Sequence, residues 1–191
     1  MHTSAVVACL PQDLKFRGEY TTAEVGDNTM IRECVTVSRG TAARGKTVVG
    51  SNVLLMAYVH IGHDCVVGNH CILANRVSLA GEVELDDWAI LGGHCAVHQF
   101  SRIGAYVMVS GGSLISKDIP PFLTAAHNPL SYVGINSVGL RRRNFTNEQI
   151  NQIQDMCRIL FQSGHSYSHG CELVEQEIPQ SPERDMMLNF I

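Results

Sequence analysis

Histidines are unevenly placed in this sequence. Five of the nine fall between residues 60 and 98, and four of these, His60, His63, His94 and His98, are the candidates for chemistry. Asp64 stands beside His63, and Gln99 beside His98. A histidine near its ordinary pKa suits deprotonation of a hydroxyl at neutral pH. A neighbouring carboxylate can fix the imidazole tautomer and stabilise the imidazolium that forms. Gly81 follows His63 by 18 residues, and Gln99 follows Gly81 by the same interval. A glycine N–H can bind an oxyanion developing on a thioester carbonyl, and Gln99 offers both donors and an acceptor. Together they suit acyl transfer by direct attack, with no covalent enzyme intermediate. The bland alternative is a set of solvated surface histidines.

Intervals of 18 carry meaning because the chain repeats. From Val49, every sixth residue is Val, Leu or Ile: Val49, Leu55, Ile61, Val67, Leu73, Leu79, Leu85, Leu91, Val97, Ile103, Val109 and Ile115. Val25, Ile31 and Val37 keep the same step. A period of six fits neither a helix nor an alternating strand. It fits hexapeptide β-helix repeats, in which three hexapeptides make a triangular coil. The aliphatic residue points inward. Small or β-branched residues four places later, such as Val59, Cys65, Cys71 and Ala89, fill the corners. Glycine in the second place (Gly50, Gly62, Gly68, Gly92, Gly104) is expected to supply backbone angles a side chain would resist.

Residues one coil apart become neighbours, with strands about 4.8 Å apart. His63, Gly81 and Gln99 form one column; Asp64, Glu82 and Phe100 flank it, with Gly62, Ala80 and His98 on the other side. His63 and Asp64 are both expected to face outward or sit at a corner. Zinc is the rival use of such histidines. The hexapeptide carbonic anhydrases carry a second histidine five residues after a glycine-histidine step, whereas His70 follows His63 by seven. No metal is expected. Cys65, Cys71 and Cys95 sit at the fifth repeat position and read as packing residues.

The repeat breaks at a polar, glycine-containing stretch, an expected external loop at about 39–47, and again at Pro120-Pro121, which continues a paired strand poorly. Beyond residue 140 the pattern becomes helical. Phe145, Thr146, Gln149 and Ile150 make a capping box with a hydrophobic staple. Ile150, Ile153, Cys157, Leu160 and Phe161 share one apolar face, Gly164 is a C-terminal stop, and Ser181-Pro182-Glu183 starts another helix. The expected division is an all-β solenoid over 1–125 and a small helical domain over 126–191.

The net charge of −4 argues against wholesale nucleic-acid binding, and no apolar run is long enough to span a membrane. The start, Met1-His2-Thr3-Ser4, lacks the pattern of a signal peptide. Seven cysteines without a CxxC pair read as reduced, buried thiols of a cytoplasmic protein.

Several segments resemble the UDP-N-acetylglucosamine 3-O-acyltransferase family, whose reaction opens lipid A synthesis. They are His60-Ile61-Gly62-His63-Asp64-Cys65, Gly68 to Asn75, Ala96 to Phe100, Pro11 to Phe16, Ile31-Arg32-Glu33, Arg39-Gly40-Thr41, and Gly134 through Arg143. The likeness runs in order along nearly the whole chain. It implies a left-handed parallel β-helix, an exception to the usual right-handed crossover, and a homotrimer. It implies His63 as general base, Asp64 as its orienting group and the Gly81 N–H as oxyanion donor. His60, His98 and Gln99 would touch the sugar nucleotide or acyl donor. Asp13 and Lys15 would bind the sugar nucleotide from a neighbouring subunit. Asn136, Arg142 and Arg143 would meet the diphosphate end, which guanidinium groups suit. Gly111 would leave room for a longer acyl chain. The substrates would be UDP-N-acetylglucosamine and a 3-hydroxyacyl acyl carrier protein, an acidic partner, with no cofactor. Members of the family carry further coils before Pro11, so a fragment is one expectation. Glu82 stands where some members have histidine and Val138 where some have glutamate. Another hexapeptide acyltransferase, using coenzyme A or a 3-amino sugar, and an inactive relic stay open at this point.

Overall fold

The computed structural model describes residues 1–191. Short strands, most of them two residues long, stack into three parallel faces of a triangular solenoid. The solenoid is a left-handed parallel β-helix. The first face contains His60–Ile61, Ser78–Leu79 and Ala96–Val97; the second, Val66–Val67 and Glu84–Leu85; the third, Ile72–Leu73 and Ile90–Leu91. Ser78 pairs with His60 and Leu79 with Ile61, so a coil is 18 residues. Ile61, Leu73, Leu79, Val83, Ala89 and Cys95 are almost wholly buried, as the aliphatic and fifth positions require. Turns between the first and second faces form the first edge, those between second and third the second edge, and those between third and first the third edge.

The glycine expectation needs correcting. None of the second-place glycines has positive φ; the left-handed residue is at the fourth place, as at Asp64, His70, Glu82 and Trp88. Glycine is needed for close approach instead. A Cβ on Gly62 would meet the Ala80 backbone at 2.7 Å, and one on Gly92 the Gly111 nitrogen at 2.4 Å. The loop expectation also shortens, because Lys46–Val49 is a regular strand of the second face. Pairing continues past Pro120-Pro121: Ile119 bridges Ile103, and Leu123–Ala126 pairs in parallel with Met108–Val109. Leu123–Ala126 also forms a hairpin with Ser131–Ile135.

Four helices follow: α1 (Ser137–Arg142), α2 (Asn147–Phe161), α3 (Tyr167–Glu177) and α4 (Pro182–Phe190). Thr146 and Gln149 make the expected capping box of α2, and Ser181 caps α4 with Pro182 in its first turn. Ile150, Ile153, Met156, Cys157 and Leu160 are buried in the same cluster as the solenoid core. No helix is long and apolar enough to cross a membrane. All seven cysteines are unpaired; Cys65, Cys71, Cys95 and Cys157 are buried, while Cys9, Cys34 and Cys171 are only partly so. Burial pushes the Cys65 and Cys71 thiols up to about 12, which leaves them unreactive near neutral pH.

Candidate active site

His63 lies at the third place of a first-edge turn. Its Nδ1 is 2.8 Å from Asp64 Oδ2. The His63 side chain is 18% exposed and that of Asp64 is 0% exposed, so of the two expected placements Asp64 takes the corner and does not face outward. Its left-handed backbone, φ 59°, turns the carboxylate beneath the turn. There Oδ1 accepts the Thr41 N–H at 2.9 Å and the Arg44 N–H at 3.2 Å, while Oδ2 accepts the Thr41 hydroxyl at 2.7 Å. The Asp64 N–H donates to Thr47 Oγ1 at 2.8 Å. Burial alone would push the Asp64 carboxyl up. The hydrogen bonds from Thr41, His63 and Arg44 outweigh it and hold the carboxyl below its usual range. An ionised carboxylate at Nδ1 places the ring proton there and the lone pair on Nε2.

Nε2 reaches Gly81. A Cβ built on Gly81 would lie 2.4 Å from His63 Nε2 and 2.5 Å from Cε1. The imidazole therefore occupies the space a side chain at position 81 would fill. None of the chain's hydrogen bonds has the Gly81 N–H as donor. Glu82, on the same turn, donates its N–H to His63 O at 2.9 Å, tying the two coils together. The group so assembled holds a fixed proton acceptor beside an unanswered backbone donor. That is what a base and an oxyanion site require of geometry.

The other predicted residues divide among the edges. His60 projects from the first face with Nδ1 2.7 Å from Thr36 Oγ1, and burial lowers its pKa. His98 and Gln99 are exposed on the first edge, joined by a 3.1 Å contact from His98 Nδ1 to Gln99 O. Asp13 and Lys15 occupy the long first-edge connection before Thr22, where the Lys15 N–H donates to Asp13 Oδ1 at 2.9 Å; neither touches His63. Gly111 is on the third edge, against Gly93 O. Asn136 is nearly buried as the N-cap of α1: it accepts the Gly139 N–H and donates to Tyr106 O at 2.9 Å. Arg142 is exposed. Arg143 lies by the second edge, its guanidinium 4.8 Å from the Trp88 ring centroid and Nη1 2.9 Å from Gly139 O. One chain thus brings His63, Asp64 and Gly81 into contact, sets His98 and Gln99 on the same edge, and leaves Gly111 on the third edge and Asn136 and Arg143 by the second.

Sequence reasoning missed Thr41, Thr47 and Arg44 as the groups that hold Asp64. A polar loop gives no sign of where its N–H groups point. No group of three or more His, Cys, Asp or Glu side chains is placed to hold a metal ion. A cavity of about 480 Å³ lies elsewhere, between Ile119, Leu123, Tyr132 and Phe161, and His63 does not line it.

Comparison with known proteins gives the family. Residues 118–191 match the family model for UDP N-acetylglucosamine O-acyltransferase, domain 2, and residues 46–81 that for bacterial transferase hexapeptide repeats. The acyl-[acyl-carrier-protein]–UDP-N-acetylglucosamine O-acyltransferase of Chlorobaculum parvum is 52% identical over 191 residues, all of this chain and 72% of that protein. Its counterpart in Thiobacillus denitrificans is 43% identical over 182 residues, 95% of this chain and 70% of that protein. The crystal structure of a UDP-N-acetylglucosamine acyltransferase from Bacteroides fragilis superposes with a TM-score of 0.98 at 51% identity, over 100% of this chain and 75% of that one. The Arabidopsis UDP-N-acetylglucosamine acyltransferase gives 0.93 at 34% identity, over 98% and 67%. With that identity across its whole length, the chain belongs to the family of acyl-[acyl-carrier-protein]–UDP-N-acetylglucosamine O-acyltransferases.

Proposed function

We propose that the protein transfers a 3-hydroxyacyl chain from acyl carrier protein to the 3-hydroxyl of UDP-N-acetylglucosamine, the first step of lipid A synthesis, with His63 as general base. The observation that carries this is the placement of His63: Nδ1 bonded to a buried, ionised Asp64, and Nε2 lying over Gly81. Nε2 takes the hydroxyl proton as the sugar oxygen attacks the thioester carbonyl. The oxyanion of the tetrahedral intermediate accepts the Gly81 N–H. Collapse breaks the carbon–sulfur bond, and the imidazolium returns its proton to the departing thiolate. The ester and free acyl carrier protein leave with His63 as it began.

We further propose that the working form is a cytoplasmic homotrimer. The outward row of the third face is Met30, Leu54, Ile72, Ile90 and Met108, whereas that of the second face is interrupted by charge, running Glu24, Val48, Val66, Glu84 and Arg102. An unbroken apolar row suits contact with a second prism. The distribution of predicted residues over separate edges supports the same reading, since a neighbouring prism would bring a second edge to His63. In that arrangement His60, His98 and Gln99 hold the sugar or acyl donor, and Asp13 and Lys15 reach it from the adjacent subunit. Arg142 and Arg143 meet the diphosphate beside Asn136, with Arg142 the more open of the two. At Gly111 a Cβ would meet Gly93 O at 2.9 Å, so glycine keeps that wall flat and leaves room for a longer chain.

His63→Ala should lower the turnover of UDP-N-acetylglucosamine with acylated carrier protein on the order of 10³-fold, with the trimer and its melting temperature nearly unchanged. Turnover within a few-fold of the parent would remove His63 from the mechanism.

A further inference from the structure

We propose that Thr41 is a positioning residue for this reaction, and that the loop carrying it is a built part of the active site. The inference rests on the reading of His63 as the base. The loop's origin shows in the strand register. The coils that follow the loop, as far as Ile115, pair at an offset of 18 residues, as Ser78 with His60 and Leu114 with Ala96. Across the loop the offset is 24, as Thr36 with His60 and Met30 with Leu54. Six extra residues have entered at the first edge, the length of one repeat. The aliphatic positions on both sides therefore stay in phase, and the solenoid does not need the insertion to close.

Those extra residues converge on Asp64. Thr41 is 5% exposed, and its N–H and hydroxyl both donate to the carboxylate. The hydroxyl has a defined direction: Oγ1 accepts the Ala43 N–H at 3.2 Å, so its own hydrogen is directed to Asp64 Oδ2 at 2.7 Å. That is the same oxygen that takes His63 Nδ1. The loop is fixed at several points. The Gly45 N–H donates to Thr41 O at 2.8 Å, the Ala42 N–H to Glu19 Oε1 at 3.1 Å, and Arg44 pairs with Glu84. A Cβ on Gly40 would lie 2.3 Å from the Lys46 nitrogen, so the loop closes only around glycine there.

The consequence is a relay from Thr41 through Asp64 to His63. The Thr41 hydroxyl holds Oδ2 in place and shares its charge with the imidazole. Without that donor, more of the carboxylate charge falls on Nδ1–H, which stabilises the imidazolium and raises the pH at which His63 becomes a base. The charged and titratable groups facing the pair are His60 on the first face, Cys65 in the core, Glu82 on the next coil, Arg44 with Glu84 on the loop side, and Glu19 on the preceding connection. None of these is altered by a change at Thr41.

Thr41→Val removes the hydroxyl and keeps the backbone donor. In this variant kcat should fall about tenfold, the scale seen when a supporting hydrogen bond behind a working group is lost. The acid limb of the kcat/KM–pH profile should move upward, with KM for UDP-N-acetylglucosamine held within about twofold. Thr41→Ser should restore both kcat and the limb. A Thr41→Val enzyme with reduced melting temperature but parental acid limb and kcat would overturn the relay while leaving the base reading intact. If His63→Ala, run alongside, kept its turnover, the base reading would fail instead, so the two failures are distinguishable.

Discussion

Along the second edge, side chains at the third repeat position answer the backbone of the coil before them. The Asp27 N–H donates to Ser51 Oγ at 3.0 Å, Ser51 N–H to Asn69 Oδ1 at 2.9 Å, and Asn69 N–H to Asp87 Oδ1 at 2.7 Å. The fourth positions stack: His70 on Trp88 at 4.0 Å, then Tyr106 and Phe122. Every step there is six residues long. Along the first edge the corresponding residues are His63, Gly81 and Gln99, and no such ladder forms. Gly81 has no side chain to offer the coil below, and the vacated space holds the imidazole. Both insertions into the repeat, before Thr22 and before Lys46, also fall on this edge. The same hexapeptide thus makes one edge that satisfies itself and another whose polar groups are left for a ligand. Turn chemistry alone does not decide which; the residue at the third place does.

The sharpest way to break this contrast is Gly81→Ala. The new Cβ would meet the far end of a side chain, His63 Nε2 at 2.4 Å, and not backbone. The imidazole can swing away, so the fold should keep its stability to within about 1 kcal/mol. Displacing the base by about an ångström should still cut kcat on the order of 10²-fold. A thermal melt and a turnover assay on one preparation test both halves. An active Gly81→Ala enzyme would show that the first edge does not depend on that vacancy.

The reciprocal change sits on the second edge. Asp87→Ala leaves the Asn69 N–H without its acceptor. Because the site is exposed, water replaces part of the bond, and the loss should be about 1 kcal/mol. For a chain of this size that is a melting-temperature drop of about 2–4 °C. Turnover with both substrates should stay at the parental level. A fall in kcat without a change in melting temperature would mean that the second edge also serves the reaction.

The solenoid was legible because a period of six with aliphatic residues throughout has no competing reading, and the column of His63, Gly81 and Gln99 followed from arithmetic on that period. The two outer helices with strong caps, α2 and α4, were legible for a similar local reason. Helix α3 was not. Its sequence begins Tyr167-Ser168-His169-Gly170, and its glycine is there for contact: a Cβ on Gly170 would meet Leu160 Cδ2 at 3.3 Å. Tertiary packing overrides propensity at that point. The burial of Asp64 was also hidden, because its donors Thr41 and Arg44 come from a loop about twenty residues earlier whose path no period describes. Likewise Arg143 ends a run of three arginines, Arg141 to Arg143, and its place over Trp88 depends on how α1 meets the second edge, which the run does not show.

The smallest effect expected concerns the face beside the first edge. Burial lowers the pKa of His60, whose Nδ1 faces Thr36 Oγ1. The folded chain therefore favours the neutral imidazole. In the unfolded chain the same group takes up a proton as the pH falls through about 6.5. The stability His60 contributes is thus fully present above that pH, and is lost as the pH falls from there toward the lower folded value. His60→Asn keeps a polar group toward Thr36 and removes the titration. Between about pH 7 and pH 5.5 the parent's melting temperature should decline more than the variant's. That difference should be smaller than the shift produced by Asp87→Ala. The experiment separates two sources of acid sensitivity on neighbouring parts of the prism. Asp64, held below the usual carboxylate range, loses its contribution only at more acidic pH, as the solution passes through that depressed value. Parallel curves for parent and variant would mean that the first face accommodates a charged imidazole at position 60. The first edge would then be set apart from the second by its geometry and insertions alone.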